Sequence, residues 1–112
     1  MCDTYKMLTE YCEEIAHDLD KYAENNLFLD EDEDYEGQNY LDDYLDVKWI
    51  LDYNRDYFAC CVCVAWGGPN IYIDTWDKCV CGYWGADKVE YPMSFRAVEA
   101  VDNYMSDIYS CY

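Results

Sequence analysis

The stretch Tyr57–Trp84 decides the fold: YFACCVCVAW at 57–66, GGPN at 67–70, IYID at 71–74, TWDK at 75–78 and CVCGYW at 79–84. Three short runs of β-branched, aromatic and cysteine residues are separated by two clusters of turn-forming residues. That pattern predicts a three-stranded antiparallel meander. Working outward, Val47, Trp49, Leu51 and Tyr53 alternate with Lys48, Ile50 and Asp52, the period of a strand. Asn54–Asp56 supplies a tight turn into the Tyr57 strand, so four antiparallel strands are expected across 47–84.

Both flanks read as helices. In residues 4–25, Leu8, Cys12, Ile15, Leu19 and Tyr22 recur at three- and four-residue steps. Asp3 or Thr4 is a candidate cap at the start, and Asn25–Asn26 a stop. In the tail, Ser94 is an N-cap candidate, and Val98, Val101, Met105 and Ile108 form a second stripe. Residues 39–45 suggest a further short helix. The expectation is one α+β domain over residues 1–112: a four-stranded antiparallel meander with N-terminal and C-terminal helices packed on it.

Charge is the strongest functional signal. The 112 residues carry 25 acidic and 7 basic side chains, a formal net charge of −18. Of these, 16 acidic and 2 basic residues precede Val47, so the imbalance is concentrated in one half. Two polyanions repel, which excludes direct nucleic-acid binding, and an anionic membrane is excluded on the same grounds. No apolar run approaches the ~18 residues of a membrane span. The opening MCDTYK runs straight into an amphipathic pattern, with no apolar block behind a basic start. The expectation is therefore a cytoplasmic protein of the host cell whose eight cysteines stay reduced.

Two motifs bear on metal chemistry. Cys61-x-Cys63 and Cys79-x-Cys81 resemble thiolate pairs, but zinc knuckles use Cys-x2–4-Cys. On strands, each pair shares a face at about 7 Å spacing, with roughly 9–10 Å between pairs across the intervening strand. That is too wide for one zinc, and buried apolar cysteine is the simpler expectation. Asp32–Asp43 resembles a calcium loop, with acids at loop positions 1, 3 and 5, Gly37 at 6 and Asp43 at 12. It departs from that pattern in its terminal Asp, in Asn39 and in lacking a second loop. His17 stands beside Glu13 and Glu14, off the apolar stripe and without a nucleophile as partner. The reading is a non-enzymatic protein without a cofactor.

Fourteen tyrosines and four tryptophans exceed what a core of this size needs. Interleaved with acid, they compose a binding face for a basic partner. In this respect the chain resembles the small DNA-mimic inhibitors of phages and mobile elements, of anti-restriction and anti-CRISPR type. The stretch Ala65–Thr75 (AWGGPNIYIDT), with Tyr91–Ser94 behind it, is also similar to small uncharacterised proteins of bacterial mobile elements. The first resemblance implies an inhibitor that binds a basic DNA-binding defence nuclease of the host and blocks DNA access. Its expected contact set is Glu10, Glu13, Glu14, Asp18 and Glu24 on the first helix. The connection adds Asp30, Glu31, Asp32, Glu33, Asp34, Tyr35, Glu36, Tyr40, Asp42, Asp43, Tyr44 and Asp46. The alternatives are a calcium- or zinc-binding domain and a homodimer formed through the second sheet face.

Overall fold

The computed structural model describes residues 4–24, 41 and 44–111, with the side chains of Tyr22 and Glu24 outside the description. The stretch 32–43 that resembles a calcium loop, apart from Leu41, and most of the helix suggested at 39–45 lie outside these residues. Among them, the order is α1 (Thr4–Glu24), β1 (Asp46–Leu51), β2 (Tyr57–Ala65), β3 (Asn70–Asp74), β4 (Cys79–Trp84), β5 (Asp87–Pro92) and α2 (Phe95–Tyr109). The arrangement is α+β, and the strands pair antiparallel in sequence order, β1-β2-β3-β4-β5.

The sheet has five strands, not the four expected from sequence. Trp84 pairs with Asp87, leaving a two-residue turn of Gly85 and Ala86, and Gly85 takes φ +61. Glycine at the first position of a two-residue hairpin is the type II′ signal. Val89 and Tyr91 then alternate with Lys88 and Glu90, so β5 is a one-sided strand with charge on its outer face. Its charge content obscured it beside the more apolar runs.

Two irregularities set the faces. The β1–β2 register shifts at Ile50/Leu51, so Leu51 pairs with Tyr57 and Phe58 is the extra residue. Tyr57 thereby packs against the core, and its hydroxyl donates to Asp102 Oδ1 on α2 at 2.6 Å. The β2–β3 register shifts between Cys63 and Ala65. Val64 and Ala65 both pack against the core, and Trp66 lines the opposite face. Strict alternation would have placed Trp66 with Val62.

Both helices cover one sheet face. Leu8, Cys12, Ile15, Ala16 and Leu19 of α1 meet Ala97, Val98, Val101 and Met105 of α2 over Cys60, Val62, Ile71, Ile73, Val80 and Val89. Leu41 is fully buried in the same core. Helix α1 lies over β4 and β5, where Gly82 leaves room for Leu8 and Cys12. Thr4 Oγ1 donates to the Asp87 carboxylate, tying the start of α1 to β5.

Ser94 caps α2 as expected. Its Oγ accepts from Ala97 N at 3.1 Å and donates to Asp20 Oδ1 of α1 at 2.5 Å. Ser94→Ala removes the cap and the interhelical bond together. The expected cost is about 1–2 kcal/mol, read as a lower urea midpoint at unchanged slope.

Candidate functional site

The acidic positions singled out in the sequence fall on different sides of the molecule. On α1, the core stripe turns Glu10 and Glu14 into solvent, and Glu13 and Asp18 flank them half-buried. His17 shares the exposed stripe and sets its ring edge-on to Tyr91, 6.4 Å between centroids. Tyr44 packs half-buried against the core. Asp46 opens β1 and belongs to the sheet's other face. Asp30–Glu36, Tyr40, Asp42 and Asp43 lie outside the described residues, as does the Glu24 side chain.

That other face forms a second site, built only from strands and turns. Strand register aligns Asp46, Cys63, Tyr72, Cys81 and Glu90 in one row across all five strands. The next row runs Lys48, Cys61, Asp74, Cys79 and Pro92. Together with Trp66, Asp77, Tyr83 and Lys88, the residues of these rows other than Cys79 and Pro92 line a cleft of about 490 Å³. Its volume lies within the roughly 300–1,000 Å³ of ligand sites. Cys63 and Cys81 are buried in its floor, Trp66 is 66% exposed and Tyr83 39% exposed. The Tyr72 and Tyr83 rings meet edge to face at 5.9 Å.

The electrostatics of the cleft favour cations. Lys88 Nζ sits 3.1 Å from Glu90 Oε1 and 5.7 Å from the Tyr83 ring centroid. A carboxylate and an aromatic face thus already hold one ammonium group here. Burial, reinforced by the Asp74 carboxylate, pushes the Cys61 thiol up to about 11. Burial also raises Cys63, with Asp46 adding to it, and Cys79 and Cys81, with Asp74 and Glu90 adding to both. These thiols are therefore protonated at neutral pH and weak as nucleophiles.

Cys79 Sγ and Cys81 Sγ lie 2.8 Å apart, while β3 separates this pair from Cys61 and Cys63. Among the described residues no three His, Cys, Asp or Glu side chains are grouped to hold a metal ion. The described cysteines, Cys12, Cys60, Cys61, Cys63, Cys79, Cys81 and Cys111, carry free thiols. His17 packs on Tyr91, on the helical side, so the sheet stands between its imidazole and the cleft.

Comparison with family models, curated proteins and solved structures gives no match. The geometry alone therefore has to carry the functional reading. Among the described residues, no helix is long and apolar enough to cross a membrane. Sequence reasoning placed Asp46 at the end of the acidic connection, with no link to the sheet face. It missed Lys88 and Glu90, because β5 was not recognised, and Trp66, because the bulge after Cys63 reverses its side. The two-residue turn at Gly85 was the available signal for the first; the second had none.

Proposed function

We propose that the protein is an acidic inhibitor that binds a basic, DNA-binding host protein of the defence-nuclease class and keeps DNA out by charge mimicry. The observation that carries this reading is α1. Its apolar stripe is locked into the core, so its carboxylates are held on a rigid support. Glu10, Glu13, Glu14 and Asp18 span about 12 Å of helix axis at 1.5 Å per residue. One carboxylate per roughly 3–4 Å is comparable to the roughly 3.4 Å per charge of a single DNA strand. A net charge of −18 costs stability through self-repulsion and adds long-range attraction to a cationic surface.

The test is competition. A restriction or CRISPR nuclease is loaded with fluorescent duplex DNA, and the full chain is titrated in at several salt concentrations. DNA release is expected at 0.1 M salt, with apparent affinity falling at least tenfold by 0.5 M. Charge reversal at Glu10→Lys and Glu14→Lys is expected to weaken competition by tenfold or more. Competition insensitive to salt, or none with any basic nuclease tried, rejects the reading.

A further inference from the structure

The outer sheet face is half-buried, aromatic and acidic at once, and no described helix lies over it. It differs from α1 in kind. Glu10 and Glu14 stand in open water on the helix, where a pairwise ionic contact is weak. In the cleft, the exposed carboxylates of Asp46 and Glu90 and the half-buried Asp74 stand beside aromatic rings over a floor of buried thiols, so one cation can meet a carboxylate and a ring face together. Lys88 shows the chemistry within the chain itself, holding its ammonium against Glu90 and over Tyr83.

We propose that this face is the docking surface for an arginine- or lysine-bearing segment of the partner, seated between Asp46, Asp74 and Glu90 and the rings of Trp66, Tyr72 and Tyr83. The assignment rests on the reading that the partner is cationic, and it adds a second contact on the face of the sheet opposite α1. Charge complementarity selects the occupant. A second copy brings another −18, whereas a cationic segment is attracted by both the cleft and the whole chain. A cleft of about 490 Å³ has room for two or three side chains, so the segment enters as a short extended or loop stretch. Lys88 is then an internal competitor: the incoming cation displaces it from Glu90 and from the Tyr83 ring.

The probe is the capped pentapeptide Arg-Gly-Arg-Gly-Arg, titrated into the full chain at 0.1 M salt and followed by amide NMR. Saturable shifts are expected at outer-face positions of β2–β5. Trp66→Ala with Glu90→Gln is expected to weaken binding about tenfold, and Glu10→Gln with Glu14→Gln by less than twofold. Lys88→Ala is expected to tighten binding at least threefold. Lys6→Ala, with the same change in net charge, is expected to do so by less than 1.5-fold. The lysine variants keep the test decisive if the double variant folds poorly. Shifts confined to α1, an equal response to Lys88→Ala and Lys6→Ala, or no binding overturns the docking face. A dimer in sedimentation with the outer face protected overturns it in favour of a second copy. The nuclease competition described above is read separately, so a cationic-partner reading that survives there stands even if the peptide avoids the cleft.

Discussion

Gly82→Val is expected to abolish the native fold, and Gly82→Ala to cost about 2–3 kcal/mol. A Cβ at Gly82 would lie 2.6 Å from Leu8 Cδ1 and 2.9 Å from Cys12 Sγ. Both of those side chains are fully buried, so neither has solvent to retreat into. Overpacking has to push α1 off β4 or force Leu8 out of its rotamer. With total stability of about 5–15 kcal/mol for a domain, the larger valine exceeds what the packing tolerates. Urea midpoints measure the alanine variant. Leu8→Ala placed on Gly82→Ala should cost less than it does in the parent chain, because the two atoms compete for one space. Additive effects, or a Gly82→Val protein with the parent's midpoint, would contradict the close approach of α1 to β4.

Alkaline pH is expected to destabilise the fold from about pH 9 upward. Cys12 and Cys60 are 0% exposed on the core side. Burial raises the Cys12 thiol to about 11, with a further push from Cys79. Burial likewise raises Cys60 to about 11, against the opposing hydrogen bonds of Tyr57 and Thr75. An unfolded thiol titrates near 9.0. Between pH 9 and 11 the folded chain therefore holds protons that the unfolded chain has released. Stability from these groups is complete below about pH 9 and declines as pH rises through the folded value. The slope is about 1.4 kcal/mol per pH unit per thiol, or on the order of 2–3 kcal/mol each by pH 11. Burial also pushes the Tyr57 phenol up, with its bond to Asp102 adding to the effect, which extends the decline in the same direction. Urea midpoints from pH 7 to 11 measure the loss. Cys12→Ala or Cys60→Ala should flatten the curve while lowering stability at neutral pH. A flat profile in the parent chain would mean these thiols are reached by water.

Much of the architecture was legible because two periods are physically distinct. Leu8, Cys12, Ile15 and Leu19 match one helical stripe, and their burial follows from that spacing. The runs at 57–65, 71–74 and 79–84 needed only their turn clusters to be read as strands. Strand β5 was less legible because half its residues are charged and face water, so its apolar content falls below that of the central strands. The outer cleft was harder still. Its rows join Asp46 to Glu90 through strands far apart in the chain, and only register brings them together.

The sequence by itself determined the element types, the antiparallel order of the central strands, the Ser94 cap and the large excess of acid, because each depends on local spacing or on composition. Tertiary structure alone decided that Trp66 and Tyr83 share a cleft with Asp46 and Glu90, that Tyr57 reaches Asp102, and that Gly82 must remain glycine. Those outcomes depend on bulges that reverse side-chain direction and on how closely a helix approaches a strand. Both are set by packing between distant segments, which no local pattern encodes.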